Sequence, residues 1–159
     1  MVLLKSEQPE PLDEKAAWQL ALSLLARQEL SAAALQQKLQ QKGAPLQIAA
    51  TVLARCQQDN LQSDQRYAGM LLRHCLQKGQ GLLLIRQVFH EKAVSKELLA
   101  AEIEEQQVDW FAQARSCYLR KFGDTVPTEQ KEQLKRKAYL SRKGFTYEQI
   151  RFATEHQDY

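Results

Sequence analysis

Glycine and proline are scarce in this 159-residue chain, at six and four residues. That scarcity argues against collagen-like, low-complexity and turn-rich all-β architectures. Cysteine is rare as well. Cys56, Cys75 and Cys117 are odd in number, far apart and in no CxxC pair. A disulfide framework and a thiolate zinc site are therefore not expected, and reduced thiols in a cytoplasmic setting are. Long apolar runs are missing. The opening Met1-Val2-Leu3-Leu4 stops at Lys5, too short for a signal peptide, and no stretch approaches the roughly 18 apolar residues that span a membrane. Strand-like alternation is absent too. So are the usual marks of catalysis. His74, His90 and His156 form no HExxH pattern, and no GxxxxGK or GxGxxG follows a strand. An enzyme, a cofactor and a metal are not expected.

What is present is helix-forming material. Leu, Gln, Ala and Lys dominate, and unbranched side chains of this kind lose little rotamer freedom in a helix. Residues 1–13, with Pro9 and Pro11, read as a mobile lead-in. Trp18, Leu22 and Leu25 then fall on one helical face. Ser31 is placed to cap a helix with Leu35 and Leu39 that ends at Gly43, and Pro45 opens a third with Ile48, Val52 and Leu53 inward. The plan recurs. Ser63 or Asp64 caps a helix carrying Tyr67, Met70, Leu71 and Cys75. Gly79 and Gly81 break it. Ile85 and Phe89 mark the next helix, and Ser95 caps one with Leu98, Leu99 and Ile103. In the final cycle Asp109 caps Trp110, Ala114 and Cys117, Thr128 caps a helix through Leu140, and Thr146 caps one with Ile150 and Ala153. Leu39–Gly43, Phe89–Ala93 and Leu140–Gly144 share one form: apolar, two polar, Lys, small. Their lysines, Lys42, Lys92 and Lys143, are 50 and 51 residues apart. An aromatic precedes each by 24, 25 and 33 residues, namely Trp18, Tyr67 and Trp110. The pattern predicts an all-α fold of three tandem, helix-turn-helix-like three-helix modules in an elongated, curved array, over 14–61, 62–108 and 109–159. The three aromatics, with Leu39, Phe89 and Leu140, are the expected core.

Charge adds a second layer. The net charge of +3 is mild, but residues 110–159 hold ten basic and six acidic side chains, a local +4. Residues 66–92 set five basic side chains against Glu91 alone, whereas 93–109 set Lys96 against five acidic ones. Such polarity suits an oriented contact with a polyanion or an acidic protein face; solvated helix surfaces are the plainer alternative. In the last module Lys131, Lys135 and Arg142 fall near one helical stripe, with Arg115, Arg120 and Lys121 on the preceding helix. The candidate binding residues are Arg73, Lys78, Arg86, Lys92, Lys135, Arg136 and Arg142. Cations of this kind grip phosphates without reading bases, which leaves direct DNA binding by a helix-turn-helix-like module as the alternative function. Lys78-Gly79-Gln80-Gly81 reads either as a phosphate-binding turn or as a flexible link.

Four strings in order resemble the RecX family: Arg27–Gly43; Leu61-Gln-Ser-Asp64-Gln-Arg66-Tyr67-Ala68; Lys78–Gly81 followed by Ile85-Arg86 and Lys92; and Lys143-Gly144-Phe145-Thr-Tyr147-Glu148-Gln149-Ile150. The similarity covers about residues 14–155 of the chain. Leu30, Ala34, Leu82 and Ala93 depart from the family pattern. The resemblance implies a monomeric regulator with no membrane contact. Its partner would be the RecA recombinase filament on single-stranded DNA, whose ATP hydrolysis, strand exchange and co-protease activity it would suppress. It also leaves open a direct contact with single- or double-stranded DNA.

Overall fold

The computed structural model describes residues 9–155; residues 1–8, with most of the expected lead-in, and 156–159, with His156, lie outside it. Among the described residues there are nine helices and no strand. The fold is all-α. Cα positions cluster into two compact units, Met1–Tyr67 and Ala68–Tyr159.

Unit 1 contains α1 (Glu14–Arg27), α2 (Ala32–Gln41), α3 (Leu46–Gln58) and the start of α4 (Asp64–Gln77). Asp13 caps α1 and Ser31 caps α2, each side chain accepting from a backbone N–H three residues on. Ala17, Ala21, Leu35, Leu39, Ala49, Val52 and Cys56 form the core. Alanines on α1 let the three helices approach closely. The expected α1 face is therefore rotated: Ala17 and Ala21 point in, while Leu22 is exposed. Trp18 is half-buried, and the Arg55 guanidinium lies 3.8 Å over its ring.

The Leu61–Ala68 string has a structural reason. Ser63 accepts from Arg66 N–H and so caps α4. Asp64 is freed for another role: its carboxylate accepts from the Ala32 N–H at the start of α2 and from the buried Gln62 amide, which also donates to the Leu30 carbonyl. Arg66 donates to Glu29 at 2.6 Å and to the carbonyls of Asn60 and Leu61. The segment straps the α3–α4 turn to the α1–α2 turn.

Unit 2 contains the rest of α4, α5 (Leu82–Glu91), α6 (Lys96–Glu105), α7 (Trp110–Phe122), α8 (Gln130–Arg142) and α9 (Tyr147–Thr154). Ser95 and Asp109 cap as expected, and Thr146 with Gln149 makes a reciprocal capping box. Thr128 does not cap α8. That position belongs to Glu129, whose side chain makes no capping bond. α7 and α9 pack against each other and against α8 around Ala114, Cys117, Tyr118, Leu140, Phe145, Ile150 and Ala153. Trp110, expected in the core, is half-buried. Tyr67, Leu39, Phe89 and Leu140 are buried.

The recurring five-residue string is a helix stop. Lys42, Lys92 and Lys143 are the C-cap residues of α2, α5 and α8. The next residue takes positive φ: +104° at Gly43, +55° at Ala93, +95° at Gly144. In each stop the following N–H, of Ala44, Val94 or Phe145, reaches back to the carbonyl of Leu39, Phe89 or Leu140. That is the Schellman arrangement, and the residues it joins are buried.

Candidate partner-binding surface

α4 ends in the same kind of stop at Gly79, with φ +75°. Its last carbonyls carry the negative end of the helix dipole, and cations from elsewhere collect there. Arg120 of α7 donates to the Gln77 carbonyl at 2.7 Å. Lys143, at the end of α8, donates to the Lys78 carbonyl at 2.8 Å. Beneath them lies the buried Cys117 thiol, whose sulfur would meet a Cβ on Gly79 at 3.2 Å. Burial pushes that thiol pKa up, and Lys143 and Arg120 pull against the rise. Burial, then Cys117, raises the Tyr139 phenol, with Arg120 and Arg142 opposing. The Lys121 ammonium sits 5.4 Å over the Tyr139 ring. Lys78, Arg120, Lys121, Arg142 and Lys143 thus surround one small area. Among the described residues none of the five is in an ion pair.

α5 begins against this cluster. The Gly81 N–H donates to the Lys143 carbonyl at 2.7 Å and the Leu83 N–H to the Gly144 carbonyl at 3.1 Å. The orphan acceptors of one helix end satisfy the orphan donors of another. No side chain fits between them. A Cβ on Gly81 would stand 2.5 Å from the Gly144 oxygen, and a Cβ on Gly144 2.4 Å from the Leu84 nitrogen. Residues 78–81, read from sequence as a phosphate turn or a flexible link, are a rigid docking point between helices.

The seven sequence candidates separate accordingly. Lys78 and Arg142 are in the cluster. Arg86 is exposed on α5, about 8 Å along the helix from Gly81, with no hydrogen bond or ion pair among the described residues. Lys92 caps the far end of α5, about 15 Å from its start. Lys135 is exposed on α8, about 10 Å before Arg142. Arg73 lies beside the Glu102 carboxylate, both within 3.4 Å of where a Gly69 Cβ would stand. Arg136 is engaged internally. It donates to Tyr118 Oη, to Thr125 O and Oγ1, and to Glu132, and its side chain is 11 % exposed. The Tyr118 hydrogen bond raises its pKa further, so it stays charged. Lys143 is the cluster member that sequence reasoning treated as part of a repeat string; its contact with Lys78 joins residues 65 apart, which helical periodicity does not register.

Among the described residues no three His, Cys, Asp or Glu side chains group as a metal site, and no helix is long and apolar enough to cross a membrane.

Two family models match the chain: "RecX, first three-helix domain" over residues 17–56 and "RecX, third three-helix domain" over 107–154. Regulatory protein RecX of Halorhodospira halophila is 35 % identical over 138 residues, covering 87 % of this chain and 86 % of the relative. Regulatory protein RecX of Vibrio vulnificus is 35 % identical over 133 residues, covering 84 % and 87 %. The crystal structure of RecX from Lactobacillus salivarius superposes with a TM-score of 0.74 at 16 % identity, covering 88 % of this chain and 93 % of that one.

Proposed function

The chain belongs to the RecX family of regulatory proteins, and from that premise we propose that it binds the RecA recombinase filament on single-stranded DNA and lowers its ATP hydrolysis, strand exchange and co-protease activity. It does so as a cytoplasmic monomer without catalysis of its own. The observation that carries the reading is the group of five cations at the end of α4, in no ion pair among the described residues. A filament on DNA offers phosphates and acidic protein faces, and preformed cations approach it without losing a prior ion pair. Three modules, over 14–61, 62–108 and 109–159, each contribute a weak contact, and linkage raises the effective concentration of the second and third. The recurrence of one helix stop in all three supports that division.

The test is the double variant Lys78→Glu with Arg142→Glu. Both side chains are exposed, so the helical circular dichroism stays unchanged. The concentration for half-inhibition of DNA-stimulated ATP hydrolysis by the host recombinase rises at least about tenfold at low salt. Unchanged inhibition at every salt concentration refutes the reading. If the variant instead loses affinity for bare oligonucleotide in parallel, with a steep logarithmic salt slope in the parent, direct DNA binding replaces it.

A further inference from the structure

Unit 2 also carries an open groove of about 380 Å³ between α8 and α9. Its floor is Phe145 and Ile150, and its rims include Leu134 and Tyr147, which are 58 % and 78 % exposed. Leu134, Ala138 and Ser141 follow one another at i, i+4 and i+7 along α8, so they form one stripe. Lys131, Lys135 and Arg142, at i, i+4 and i+11, fall along one edge of that stripe. Lys137 lines the other edge, and Arg151 enters from α9. Glu155 pairs with Arg151 and Glu132 with Arg136, so the groove cations in no ion pair among the described residues are Lys131, Lys135, Lys137 and Arg142, against Glu129 and Glu148.

The combination is particular to this helix pair. With Leu39, Phe89 and Leu140 in register, the positions of Leu134, Ala138, Ser141 and Tyr147 hold Ala33, Gln37, Gln40 and Leu46 in the first cycle. In the second they hold Leu83, Gln87, His90 and Lys96. The edge positions of Lys131, Lys135 and Arg142 are Leu30, Ala34 and Gln41 in the first cycle and Gln80, Leu84 and Glu91 in the second. Only the third cycle sets an apolar stripe beside three cations.

We propose that this groove docks an acidic amphipathic α-helix of a protein partner. Apolar residues at i, i+3 or i+4, and i+7 of the incoming helix cover Leu134, Phe145, Tyr147 and Ile150, and its carboxylates face Lys131, Lys135 and Arg142. Leu134 to Ser141 spans about 10 Å, which is two turns and accommodates three such anchors. The cationic edges set the sign of the partner and exclude a basic helix. Single-stranded nucleic acid fits less well, because strand binding uses a series of stacking faces and this groove offers one aromatic rim, Tyr147. The groove shares Arg142 with the cation group at the end of α4, so its tests change Leu134, Tyr147, Lys131 and Lys135 and leave Arg142 in place.

The experiment uses the full chain and three fluorescein-labelled probes. The first is a synthetic helix of about 14 residues, four turns, with leucines on one face and glutamates beside them. The second replaces its glutamates with lysines. The third is an oligothymidylate. The acidic helix binds with a Kd on the order of 10 μM in anisotropy, and the lysine version does not. Leu134→Glu weakens binding at least about tenfold, as does Lys131→Glu with Lys135→Glu. Lys96→Glu, exposed on α6 and outside the groove, leaves it unchanged. Leu134 is a surface residue, so the fold survives; Tyr147→Ser is the second variant if it does not. Amide shifts of the labelled protein fall in residues 134–151. The proposal is overturned by equal binding of the lysine helix, by acidic-helix binding that survives Leu134→Glu and Tyr147→Ser, or by no acidic-helix binding at about millimolar probe. Oligothymidylate binding that is lost in Leu134→Glu while the helix fails to bind overturns it in favour of a nucleic-acid site.

Discussion

Ala93 is the residue that breaks its own local rule. It occupies the positive-φ position of the α5 stop at +55°, where Gly43 and Gly144 stand in the other two strings. A Cβ in that conformation costs about 1–2 kcal/mol. Ala93→Gly is therefore expected to stabilise the protein by about 0.5–1 kcal/mol, net of the greater freedom of glycine in the unfolded chain. Urea denaturation measures it, and an unchanged or lowered midpoint contradicts the assignment. The cysteines give a second expectation. Burial raises the pKa of Cys56, Cys75 and Cys117 above the ordinary thiol value. The unfolded chain then loses these protons more readily than the folded one. Their contribution to stability is full below the unfolded thiol pKa, about 8.5, and is lost as pH rises through the folded values. Denaturant midpoints should fall above about pH 8.5, and a serine variant at Cys75 should flatten that fall. A thiol-specific reagent at neutral pH should label the native protein slowly and the unfolded protein at once.

At the scale of the helices, three glycines with different neighbours separate strain from contact. Gly81 and Gly144 are where α5 and α8 meet end to end, and a Cβ at either would enter the backbone of the other helix. Gly123, with φ +70°, has nothing within 4 Å of such a Cβ. Gly123→Ala should cost only the backbone penalty, about 1–3 kcal/mol for φ +70° with ψ −171°. Gly81→Ala or Gly144→Ala should cost more than Gly123→Ala, because the two helices must separate or bend. The same pair should also weaken recombinase inhibition, since Lys143 and Lys78 are held together by this junction. Equal destabilisation by all three alanines would mean that the junction is loose. Arg136 works at the same level. Its fork ties Tyr118, Thr125 and Glu132 across the α7–α8 loop.

For the whole molecule, the number that matters is the balance of charges left unpaired, not the net +3. The four ion pairs among the described residues take up Arg66, Arg115, Arg136 and Arg151. The cations left over at the end of α4 and along α8 come from distant parts of the sequence. Exposed charges of this kind act over about 10 Å at 0.1 M salt and far less at higher salt. The recombinase inhibition proposed above should therefore weaken as salt rises, and the Lys78→Glu, Arg142→Glu variant should show a shallower dependence.

Much of the architecture was written locally. Ser31, Ser95, Asp109 and Thr146 announce helix starts, because their side-chain oxygens reach backbone N–H groups two or three residues away. The three Lys-small strings announce helix stops for the same reason: a Schellman turn is closed within six residues. Family membership was legible in the same strings. Burial was only partly so. Leu22 fits a helical face by spacing yet is exposed, and Trp18 and Trp110 are half-buried, because neighbouring helices choose which side of an amphipathic helix becomes its inside. The proposed binding surface was the least legible. Periodicity sees neighbours within a turn or two, whereas Lys78, Arg120 and Lys143 meet across as many as 65 residues of sequence. The sequence by itself determined where helices begin and end; tertiary packing alone decided which cations share a surface and which, like Arg136, are drawn inward, since those contacts exist only after helices distant in the chain have docked.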